Sequence, residues 1–262
     1  MTTSASAFHV GGPEVMLRIG AVSVSADRGE ARTEAGPWLA DPAAGVSRGA
    51  LAVACDDVTG YLVAAGSPPG RWPVSLGIRM DFLADPPLDG SSLHVTGELV
   101  GRDDRGAMTR GAVADATGRT IATVIQRSHL IDAPRTPGPH ASPRILDVPD
   151  GPVRDQLGLV ETAPGVLTMS PTLLSANGMG SVHGGILICA AELAAASGVG
   201  ADGDLRTTSV DITYVRPCDA AQTATFATEV THRGRSLSVV RVVAANQGGK
   251  PAAIATVVLQ HI

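Results

Sequence analysis

"NGMGSVHGGILICAAELAAASGV", residues 177–199, passes from a turn-rich stretch into an apolar segment broken by one carboxylate, Glu192. From Ile186 to Val199 apolar residues fall on nearly every side of a helix, the pattern of a helix buried all round. A curved antiparallel sheet wrapped about it would bury it in that way. Gly184 and Gly185 stand where this helix would begin. The first N–H groups of a helix lack intrahelical partners and carry the positive end of its dipole, and glycine lets another atom approach them closely. A tight turn alone would also account for the pair. An ionised acid in the middle of such a helix is costly unless it is paired, protonated or set against a cavity.

The same stretch occurs a second time, worn. "SRGALAVACD" (residues 47–56) lies over "HGGILICAAE" (183–192), setting Ser47 on His183, Gly49 on Gly185 and Asp56 on Glu192. The first copy predicts a helix over Ala50–Ala65. After each helix come four strand-like segments, from Ile78 and from Val210, with matching turns at "DATGRT" and "NQGGKP". Between the copies, "DAPRTPGPHASPRILDVPDGP" (132–152) is rich in Pro and Gly and reads as a linker. The chain therefore divides into two similar domains, residues 1–132 and 153–262, joined by residues 133–152.

Composition narrows the function. Of 262 residues 44% are hydrophobic but only 3% aromatic, so the core must be built from Ala, Val, Leu and Ile. The net charge of −5 and the lack of a basic run argue against nucleic-acid partners. Three cysteines, Cys55, Cys189 and Cys218, form no CxxC pair and imply neither a disulfide framework nor a metal site. No apolar run reaches the roughly 18 residues that span a bilayer, and the first twenty residues lack a basic start followed by an apolar block. A soluble cytoplasmic protein, without membrane partner, is expected.

Distance constrains the chemistry. Gly184 and Glu192 are separated by about 12 Å along one helix, at about 1.5 Å per residue. Reacting groups must come within about 3–3.5 Å, so a helix N-terminus and a mid-helix acid can share a site only if they come from different helices. Two copies packed with antiparallel helices supply this. One site would join Asn177, His183 and Gly184 to Asp56. The other would join Glu192 to Asp41, Ser47 and Arg48, where His and the first Gly are missing and Ser47 reads equally as an N-cap. The first is expected to be active and the second degenerate.

The motif N-x-x-G-x-x-H-G-G with an acid nine residues after the His (Asn177, Gly180, His183, Gly184, Gly185, Glu192) resembles the hotdog-fold acyl-CoA thioesterases of the PaaI-like, phenylacetyl-CoA type. Both halves resemble hotdog domains, and their fusion the double-hotdog form. The resemblance implies an α+β fold in which each half wraps an antiparallel sheet around a long helix. It also implies hydrolysis of an acyl-CoA to free CoA and a carboxylic acid without cofactor or metal. Carried over, the acid as base or nucleophile falls on Asp56, the oxyanion donor on Gly184, assisting groups on Asn177 and His183, and a strand hydroxyl on Ser75, with Thr207 its counterpart in the second half. The first half departs from the motif with Asp41, Ala44, Ser47 and Arg48. Arg233 and Arg235, with Arg102 and Arg105 at the equivalent turn, are candidates for the CoA phosphates. Trp72 is a candidate for the acyl pocket. A homodimer with four hotdogs is expected. The rival readings are a non-catalytic acyl-CoA binding or sensing module and a hotdog hydratase or dehydratase. Removing the charge of Glu192 is expected to leave the rate nearly unchanged, and to stabilise the fold if that charge is unpaired.

Overall fold

The computed structural model describes residues 10–133 and 148–262, so most of the expected linker lies outside the described residues. The first half holds α1 (Gly12–Met16), β1 (Ser23–Ser25), β2 (Arg28–Glu34), β3 (Ala40–Asp41), β4 (Gly45–Val46), α2 (Ala52–Ala65), β5 (Arg71–Phe82), β6 (Ser92–Arg102), β7 (Gly106–Ala114) and β8 (Thr120–Asp132). The second holds α3 (Val153–Gln156), β9 (Leu159–Ala163), β10 (Val166–Met169), α4 (Gly184–Gly198), β11 (Leu205–Tyr214), β12 (Ala224–Arg233), β13 (Leu237–Ala245) and β14 (Pro251–His261). The expected repeat is thus present, except that the β3–β4 pair is reduced in the second half to one bridge between Ala176 and Val182. The first helix differs at its start, where a 3-10 turn over Arg48–Leu51 precedes α2.

Twelve strands form one antiparallel sheet in the order β1-β2-β6-β7-β8-β5-β11-β14-β13-β12-β10-β9. Read from either edge the order is the same under exchange of halves, so a pseudo-twofold axis passes between β5 and β11. These two strands pair antiparallel, with Ile78 opposite Ile212. Strands alternate inward and outward as their sequences do: in β8, Val124, Gln126, Ser128 and Leu130 point inward while Ile125 and Arg127 point out. The turn at Asp115–Arg119 closes because Asp115 accepts the Thr117 N–H and Gly118 takes φ +87°, a region open to glycine.

The two long helices lie side by side inside the curved sheet, antiparallel: Gly49, just before α2, touches Cys189 and Glu192, while Asp56 lies beside Gly184. Glycine makes the approach possible, since a Cβ at Gly185 would stand 2.4 Å from the Val53 nitrogen. From Gly185 to Ala196 every residue of α4 is buried. In α2, Asp56, Gly60 and Tyr61 are only half-buried, because this side opens into a cavity. The small helices cross over: α1 of the first half packs on the Leu173–Ser175 turn of the second, and α3 packs on β3 of the first.

Candidate active site

A cavity of about 440 Å³ lies between the halves, lined by Asp56, Ser75 and Gln126 from the first and by Asn177, His183, Gly184 and Tyr214 from the second. Asp56 sits on the half-exposed side of α2. Its Oδ1 accepts from Ser75 Oγ at 3.0 Å and Gln126 Nε2 at 2.8 Å. Thr59, one turn along α2, donates to Gln126 Oε1 and so turns the amide nitrogen toward Asp56. The other carboxylate oxygen faces the head of α4, where a Cβ on Gly184 would stand 2.6 Å from Oδ2.

At that head His183 is the N-cap, its Nδ1 accepting from the Gly185 N–H at 3.1 Å. Among the described residues the Gly184 N–H has no acceptor, whereas its carbonyl takes the Tyr214 hydroxyl at 2.9 Å. Burial holds the Tyr214 pKa well above its usual value, so the hydroxyl remains a donor. His183 Nε2 lies 3.2 Å from Asp57 Oδ1 and 3.9 Å from Glu14 Oε1. Burial disfavours the imidazolium, and the Asp57 hydrogen bond with the charges of Asp57, Asp56 and Glu14 outweighs it, raising the ring's proton affinity. The helix N-terminus and the Gly185 N–H on Nδ1 oppose a second proton. With Nδ1 accepting, the ring proton belongs on Nε2. Glu14, Asp57 and His183 are close enough for their ligand atoms to share a metal ion, but a protonated Nε2 has no lone pair to give one.

Asn177 lines the same cavity, although its Oδ1 is occupied by the N–H groups of Met179 and Ser181, which shape the loop. Trp72 does line it, stacked edge-on against Tyr61 with ring centroids 6.0 Å apart. None of the four arginines chosen for the CoA phosphates does. Arg102 is spent on the carbonyls of Gly66 and Leu62 at the end of α2, Arg105 stands at the β6–β7 turn, and Arg233 and Arg235 are exposed at the β12–β13 turn. The cation that lines the cavity is Arg216.

The pseudo-symmetric counterpart is closed. Glu192, 0% exposed, accepts from Gly49 N at 2.7 Å, Arg48 N at 3.1 Å and Ser47 Oγ at 3.2 Å. The acid thus occupies the N–H groups that would otherwise receive a ligand, and Ser47 does not cap its turn. Arg48 runs to the Thr207 carbonyl and pairs with Asp85 at 2.6 Å. Asp41, the counterpart of Asn177, is bound by Arg154 of α3 at 2.6 Å. An unpaired charge, the condition under which removing it was expected to stabilise the fold, is not found: the backbone of the opposite half satisfies Glu192.

Solved structures that resemble this chain include several thioesterases. A putative oleoyl thioesterase from Lactobacillus plantarum superposes with TM-score 0.62 at 13% identity, covering 91% of this chain and 98% of that one. Acyl-CoA thioesterase II from Mycobacterium marinum gives 0.60 at 11%, covering 95% and 96%. The 12:0-ACP thioesterase of Umbellularia californica gives 0.60 at 14%, covering 90% and 94%. At such identities these show the fold. No curated protein matches the sequence. Residues 174–260, however, match the family model of the acyl-CoA thioesterase N-terminal domain. The second half carries an acyl-CoA thioesterase domain, and the whole chain has the double-hotdog fold of the thioesterases it superposes on.

Several groups at the site went unread in the sequence. Gln126 carried a signal: with Ser128 it places a polar residue on the inward face of a strand whose other inward residues are apolar. A β-bulge shows what it replaces. Ser75 and Thr207 each immediately precede a bulge, in β5 and β11. Counting from it, Gln126 matches Val257, and Tyr214 matches Phe82. Each loss of a polar group falls on the closed site. Asp57 and Glu14 left no such trace, because their partner lies in the other half.

Proposed function

We propose that the thioesterase hydrolyses an acyl-CoA at one site per chain, with Asp56 as general base and the Gly184 N–H as oxyanion donor. The observation that carries this reading is that Asp56, with Oδ1 fixed by Ser75 and Gln126, faces the unpartnered Gly184 N–H across a cavity. A water held beside Asp56 attacks the thioester carbon as the carboxylate takes its proton. The carbonyl oxygen gathers negative charge at the head of α4, where N–H and dipole stabilise it. The C–S bond then breaks and Asp56 returns the proton to the thiolate, leaving free CoA and a carboxylic acid. The second site does not turn over, since Glu192 fills its own N–H groups.

Val74, Leu76, Ile131 and Leu187 line the cavity and give the acyl group an apolar seat, with Arg216 available to a CoA phosphate. The N-x-x-G-x-x-H-G-G loop supports reading the enzyme as PaaI-like. Each chain contains both halves of the site, so assembly into a homodimer serves stability and not catalysis. No helix among the described residues is long and apolar enough to cross a membrane, and cytoplasmic residence belongs to the same reading. The test is release of free thiol from a panel of acyl-CoAs, followed with a thiol reagent. Binding without release indicates an acyl-CoA sensor, and loss of water from a hydroxyacyl-CoA a dehydratase. One turnover in oxygen-18 water separates the two routes open to Asp56, since label found in the protein means that it attacked the carbonyl itself. Light scattering that shows a strict monomer removes the dimer alone.

A further inference from the structure

We propose that Asp57, aided by Glu14, is a positioning residue that keeps the ring proton of His183 on Nε2 and thereby leaves the Gly184 N–H as the free donor that faces the cavity at the head of α4. This rests on the reading of Gly184 as oxyanion donor. Gly184 lines the cavity, and the next N–H of the same turn, that of the buried Gly185, would lack an acceptor without the ring. His183 accepts from it with Nδ1 at 3.1 Å. A neutral imidazole accepts on one nitrogen only if its proton is on the other. Asp57 Oδ1, 3.2 Å from Nε2, holds it there. Glu14 adds a second negative oxygen at 3.9 Å and is itself fixed by the Gly11 N–H at 2.7 Å.

The alternative tautomer shows what is at stake. With the proton on Nδ1, the ring can no longer accept from Gly185, and it points a donor at Asp56 Oδ2, 3.6 Å away. The Gly185 N–H then lacks its acceptor and the base is engaged by a proton.

The closed site supports this from the other side. It has Ser47 in place of His183, Leu193 in place of Asp57, and Arg154 on the helix that corresponds to that of Glu14. There no ring holds back one N–H, and both are bound by Glu192.

The test combines nitrogen NMR with kinetics. The bare and protonated nitrogens of a neutral imidazole resonate far apart, and His183 is assigned among the seven histidines by comparison with His183→Gln. In the wild-type enzyme, at the pH of greatest activity, the proton is expected on Nε2. Asp57→Leu, which installs the residue of the closed site, should move it to Nδ1. The same variant should lower kcat on the order of 10- to 100-fold with KM unchanged, less than the 100- to 1000-fold typical of removing an oxyanion donor outright. A wild-type ring carrying its proton on Nδ1, or protons on both nitrogens, overturns the proposal. So does a folded Asp57→Leu enzyme with unmoved tautomer or unchanged kcat. If that variant does not fold, Asp57→Asn replaces it. Its amide oxygen still accepts from Nε2, so tautomer and rate should stay near wild type, and a loss of rate with the tautomer intact is equally fatal. If the tautomer behaves as expected but deletion of the Gly184 N–H costs no rate, the role of Gly184 fails and that of Asp57 in setting the ring stands.

Discussion

Glu192→Gln should alter stability in a pH-dependent way while leaving turnover alone. Burial raises the Glu192 pKa from 4.5 to about 7, although the Gly49 N–H pulls the other way. At about 1.4 kcal/mol per tenfold change in proton affinity, ionisation of the folded protein costs about 3 kcal/mol. A carboxylate whose folded pKa lies above its unfolded pKa makes the folded state bind more protons between the two values. Stability from this group is therefore highest below pH 4.5 and falls as pH rises through about 7. Glutamine has the shape of the neutral acid and does not titrate. At pH 5 the variant should melt at or slightly below wild type, because its NH₂ cannot accept from the Arg48 N–H as the second oxygen does. By pH 8 it should have gained about 3 kcal/mol relative to wild type, roughly 6–12 °C in Tm for a chain of this size. Thermal melts of both proteins from pH 5 to 8, with kcat/KM on one acyl-CoA, measure this. A melting difference that stays constant with pH would refute the account of Glu192. A dead variant would refute the assignment of the live site.

Asp56→Asn should lower kcat by about 100- to 10,000-fold with little effect on KM, because the amide can still take the Ser75 and Gln126 bonds but cannot accept a proton from water; steady-state kinetics check it. Gly184→Pro should be about 100-fold or more slower than Gly184→Ala. Both add a Cβ that meets Asp56 and Tyr214, but only proline removes the N–H, so the ratio of the two rates isolates the donor. Arg216→Ala should raise KM several-fold, on the order of 1 kcal/mol for one exposed charge contact, while Arg233→Ala and Arg235→Ala should not; titration of KM against salt gives the same ranking.

The sequence by itself determined the repeat, the two buried helices and the pairing of Asp56 with the loop of the other half. Periodicity and helix rise are local quantities, and a 12 Å separation on one helix rules out a single-helix site whatever the rest of the chain does. It also distinguished the complete loop at His183 from the worn one at Ser47, since that difference is written in residue types. Tertiary structure alone decided what each polar group does. Sequence sets Glu192 beside Ser47 and Arg48, but only the fold shows that the Arg48 and Gly49 N–H groups and the Ser47 hydroxyl, 143 to 145 residues away, bind its carboxylate. Asp57 reads as one more acid on α2, until the second half brings His183 to 3.2 Å. Arg102 reads as a phosphate ligand and serves the carbonyls at the end of α2. Hydrogen bonding and burial depend on which surfaces meet, and a sequence states only which surfaces are available.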